Sequence, residues 1–156
     1  MQNVGASLSL AITAPLTALG VASFKAASDA AELESAFRQT FGSMSNEMEN
    51  WAETTGDAMG RSTQEIQNAA NTFGIFFNQA AKTREEAAKM SQTFAVLAQD
   101  LSSFYNTSPE VALQKLRSGL SGESEPLRDF GVFLNEAAVG QKALEMGLAR
   151  TTSELT

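Results

Sequence analysis

Apolar positions recur three and four residues apart along one stretch of the chain: Ala87, Met90, Phe94, Leu97, Leu101 and Phe104. That spacing places them on one side of a helix as an a/d seam, the geometry for packing at a shallow angle on a partner helix. The run covers fewer than three heptads, so it does not by itself require a coiled coil. Thr83-Arg-Glu-Glu86 just before it reads as a capping box, in which the hydroxyl accepts from the third residue's N–H and the Glu reaches back. Ser62-Thr-Gln-Glu65 opens the preceding helix in the same way, and Ile66, Ala70, Phe73, Phe77 and Ala80 give that helix its inner stripe. Phe76 points off this stripe and predicts a second contact surface. Asn106-Thr-Ser-Pro109 closes the seam helix and starts the next. Ser108 caps it, Pro109 takes the first helical position, where its missing N–H costs nothing, and Val111, Leu113, Leu116 and Leu120 form the apolar side.

The flanking segments read as helices too. The first is expected from near Val4 to Phe41, kinked or divided at Pro15, which lacks an N–H and clashes with the preceding turn. Ala26, Ala30, Leu33 and Phe37 lie on one stripe of it, and Gly42 is its stop. A second helix, capped by Ser43 or Ser45, runs to Met59 with Met48, Trp51 and Ala52 inside, and Ala58 and Met59 farther along. Gly56 weakens it and Gly60 ends it. Gly119, Gly122 and the acidic turn through Glu125 end the Pro109 helix. Pro126 starts a short helical turn that stops near Gly131, Val132-Phe133-Leu134 reads as extended, and a last helix covers Glu136 to Met146 before Gly147. The expected fold is all-α: about six mostly short helices forming one module over residues 1–156, with no internal boundary.

Composition narrows the chemistry. The 156 residues include no Cys and no His. Disulfides, thiolate or imidazole metal sites, Cys nucleophiles and Ser-His-Asp triads are therefore excluded. The acidic pairs Glu32/Glu34, Glu47/Glu49, Glu85/Glu86 and Glu123/Glu125 fall on polar helix faces, first turns or a loop. A glycosidase instead needs one carboxyl in an apolar pocket that raises its pKa. Lys89 and Ser91, two apart on a helix, do not face each other. Asp100 and Asp129 stand alone, so no calcium loop is present, and Gly119-x-x-Gly122 lacks the continuation of a phosphate loop. The sequence thus offers no catalytic, cofactor-binding or metal-binding residue. Ten Phe at helical spacings read as core, not as a ligand pocket.

Charge excludes a further class. The net charge is −7, and no basic stripe exists, so sequence-independent phosphate binding is not expected and no specific nucleic-acid partner follows. Residues 1–24 carry no charged side chain, while residues 25–60 hold two basic and seven acidic groups. Val4 to Phe24 is long enough to span a bilayer, but Ser7, Ser9, Thr13, Thr17 and Ser23 interrupt it, as do Gly5, Pro15 and Gly20. Met1-Gln2-Asn3 supplies no basic region for a signal peptide. A buried or oligomer-facing helix is the favoured reading, with membrane contact as the alternative.

Four segments, in order, carry a resemblance. They are Gly5 to Leu16 (GASLSLAITAPL), Ala26 to Phe41 with its Phe41-Gly42 stop, Leu97 to Phe104 (LAQDLSSF) with Asn106 and the Pro109 helix, and Leu116 to Glu123 (LRSGLSGE) through Pro126-Leu127 and Phe130-Gly131. Together they resemble the front of phage tail tape-measure proteins. The resemblance implies a virion structural protein inside the growing tail tube, whose length stops tube polymerisation, and not an enzyme. It also implies contact with the tail tube protein, tail assembly chaperones and tail-tip or baseplate proteins. Self-association, and host-membrane contact during genome ejection, are further expectations. Localisation would be the tail lumen of the virion, and the host cytoplasm during assembly. Because such relatives are usually far longer, the chain is expected to be the N-terminal part of a longer protein. The residues expected to carry packing and interaction are Phe94, Leu97, Leu101 and Phe104 in the seam, and Leu116, Leu127 and Phe130 around the turn.

Overall fold

The computed structural model describes residues 23, 25–134 and 142. Among them the chain is mostly helical and contains no strand, as the periodicities predict. Its contacts cluster into two compact units, one ending at Lys89 and the other beginning at Met90. The expected kink at Pro15 lies outside the described residues. So does the expected helix from Glu136, apart from Lys142, which is helical.

In the first unit, α1 (25–41) gains burial along its length. Ala26 is exposed, Ala30 and Leu33 are half-buried, and Phe37 and Phe41 are buried, their rings 4.7 Å apart. Gly42 then takes a left-handed φ of +53°, which a residue with a side chain adopts only at a cost. A single 3-10 turn (Gly42–Met44) leads into α2 (Ser45–Met59). Ser45 does not cap α2 as the sequence suggested. Its hydroxyl donates to Gly42 O at 2.7 Å and Arg38 O at 3.3 Å, tying the end of α1 to the start of α2. α2 ends at Gly60, left-handed as expected.

α3 (Thr63–Ala80) packs on α2 and carries the full capping box. Ser62 Oγ accepts from Glu65 N at 3.2 Å, and Glu65 Oε2 accepts from Ser62 N at 2.9 Å. Ile66, Ala69, Ala70, Phe73, Gly74 and Phe77 are its buried side, whereas Ala80 is exposed because the helix ends there. Phe76 lies half-buried off that side, with its ring edge-on to Phe77. Gly56, which the sequence marks as a weak point, is a close approach. A Cβ there would lie 2.9 Å from Arg61 O, and Arg61 N donates back to Gly56 O at 2.9 Å. Glycine is thus required for the chain to fold back on α2, a purpose that outweighs its low helix propensity.

α4 (Arg84–Phe104) begins in the first unit and runs into the second. Thr83 Oγ1 accepts from Glu86 N at 3.1 Å. Glu86 reaches one residue beyond the expected partner and accepts from Lys82 N at 3.0 Å. In the second unit Asn106, at φ +49°, turns the chain out of α4, and Ser108 Oγ accepts from Val111 N at 3.3 Å to cap α5 (Pro109–Leu120). The Pro126 turn is a 3-10 helix (Glu125–Phe130) packed on α5 and closed by Gly131 at φ +70°. Val132, Phe133 and Leu134 belong to no helix.

Candidate interaction surface

α4 sorts its residues by size. The seam spacing predicts Ala87, Met90, Phe94, Leu97, Leu101 and Phe104 as the side that packs on a partner helix. The structure buries Ala87, Ala88, Ser91, Ala95, Ala98, Gln99 and Ser102. From Ser91 onward this face follows the seam one residue later, 91, 95, 98 and 102 against 90, 94, 97 and 101, a rotation of about 100° about the helix axis. Ala and Ser let neighbouring backbone approach closely and lose little side-chain entropy on burial. The larger side chains stand at the shoulder of the buried face or outside it. Met90, Phe94 and Leu101 are half-buried, Leu97 is 37% exposed and Phe104 is 81% exposed. Leu97, Leu101 and Phe104 therefore form an outward apolar ridge, interrupted by Asp100. A shallow open groove lies among Asp100, Leu101, Ser103 and Phe104.

The other three expected packing residues are placed differently. Leu116, Leu127 and Phe130 are all buried. Leu127 sits over Gly119 of α5, where a Cβ would lie 2.7 Å from Leu127 Cγ. Phe130 is held by two residues that sequence reasoning passed over for this role. Tyr105 donates its hydroxyl hydrogen to Phe130 O at 2.7 Å, with the rings 5.1 Å apart. Lys115 places Nζ 5.1 Å over the Phe130 ring while pairing with Asp129 at 2.6 Å. The ladder extends outward, because the Phe104 ring lies edge-on to Tyr105 at 5.0 Å. A tyrosine directly after the last seam position was the available signal for Tyr105. The Lys115–Asp129 pair joins residues fourteen apart and has no local pattern to betray it.

Arg38 holds Glu34 at 2.8 Å and faces Glu49 Oε1 at 3.5 Å, so two carboxylates of the first unit share one guanidinium. Glu49 Oε1 is shielded from solvent and makes no hydrogen bond, so the contact is ionic only. Glu85, Glu86, Glu123 and Glu125 are exposed. Among the described residues no group of three acidic, His or Cys side chains is placed to hold a metal ion. No described helix is long and apolar enough to cross a membrane.

What this arrangement offers is contact: an apolar ridge on a helix, and an aromatic ladder that fixes the turn beside it. No family model, curated protein or solved structure matches the chain.

Proposed function

We propose that the chain is a structural component of a bacteriophage or prophage tail: the N-terminal part of a tape-measure protein, which templates tail-tube assembly and sets tail length. The observation that carries this reading is the ordered set of four sequence segments from Gly5 to Gly131. The helical character of the described residues is compatible with it. The apolar ridge at Leu97, Leu101 and Phe104 adds support, since a scaffold works by holding other helices or sister copies. Its partners in this reading are the tube protein, the assembly chaperones, the tail-tip or baseplate proteins and further copies of itself. No chemical step is assigned to it.

The test is tail length. In-frame removal of a helical stretch from the complete protein in the phage shortens tails by about 1.5 Å per residue removed, measured by electron microscopy. Tails of unchanged length after such removals overturn the ruler reading.

A second reading rests on the uncharged residues 1–24: a membrane-contacting segment that aids genome ejection. Flotation with liposomes separates the two. Binding that depends on residues 1–24 supports the membrane role, and equal behaviour with and without them rejects it.

A further inference from the structure

We draw no further inference here: the strongest candidate, the outward apolar ridge of Leu97, Leu101 and Phe104 on α4 with its shallow groove beside Asp100, belongs to the contact surface already described, and nothing in the structure shows what covers it.

Discussion

Single residues set the closest approaches in this protein. Gly74 of α3 is among the tightest in the first unit: a Cβ there would lie 2.6 Å from Thr40 Cγ2 and 2.7 Å from Phe41 Cζ. Asn78, one turn on, donates Nδ2–H to Thr40 O at 2.7 Å and satisfies a carbonyl at the end of α1. Gly74→Ala gains helix propensity but forces apart a ring and a methyl in a packed core. The expected net loss is about 1–2 kcal/mol, read by urea denaturation. Gln99 presents the opposite case. It is 3% exposed, and its Oε1 has no hydrogen-bond partner, a penalty of about 1–3 kcal/mol. Gln99→Met keeps the shape and removes the unpaired carbonyl, so the denaturation midpoint should rise. A fall would show that the amide is engaged in the folded protein. Neither residue announces itself in sequence. Gly74 lies inside a helical stripe, and Gln99 is a polar residue at a position that only the tertiary neighbours bury.

At the scale of elements, most start signals and the buried stripe of α3 were legible in the sequence, and the inward face of α4 was not. The Ser62 and Ser108 caps and the Pro109 start stand where the residues predict, because capping is settled within four residues of chain. Ser62→Ala removes the acceptor for Glu65 N and should cost about 1 kcal/mol in thermal or denaturant unfolding. The inward face of α4 depends instead on what approaches it. Two stripes with the same period, one large and one small, run side by side along this helix. Hydrophobicity ranks the large one first, yet the small one is buried. Two substitutions separate the faces. Ala98, fully buried, tolerates no enlargement, and Ala98→Leu should destabilise by about 1–3 kcal/mol. The exposed pair Leu97→Gln with Phe104→Gln should leave the melting temperature nearly unchanged and, under the proposed function, weaken pull-down of the tail proteins or sister copies which that proposal names as partners. Loss of folding in that double variant would place the ridge in the core. Tyr105→Phe tests the ladder: it deletes the bond to Phe130 O and should cost about 0.5–1.5 kcal/mol.

Taken whole, the chain is acidic, helical and free of Cys and His, and each property limits its partners. A net charge of −7 without a basic stripe repels phosphate backbones. The mobility of duplex DNA at low salt should therefore be unchanged by this protein, and a shift would show that the fold gathers on one face basic side chains that lie scattered along the sequence. The division at Lys89/Met90 falls inside α4, where no proline, glycine or change of composition marks it. By itself the sequence determined the helical class, most of the element ends and the exclusion of thiol, imidazole and triad chemistry. Those follow from residue types and from hydrogen bonds closed within a turn or two. Only the tertiary structure decided which stripe of α4 is buried, why Gly56 and Gly74 are glycines, and that Tyr105 and Lys115 hold Phe130. Those depend on which residues the folded chain brings together, which no local period encodes.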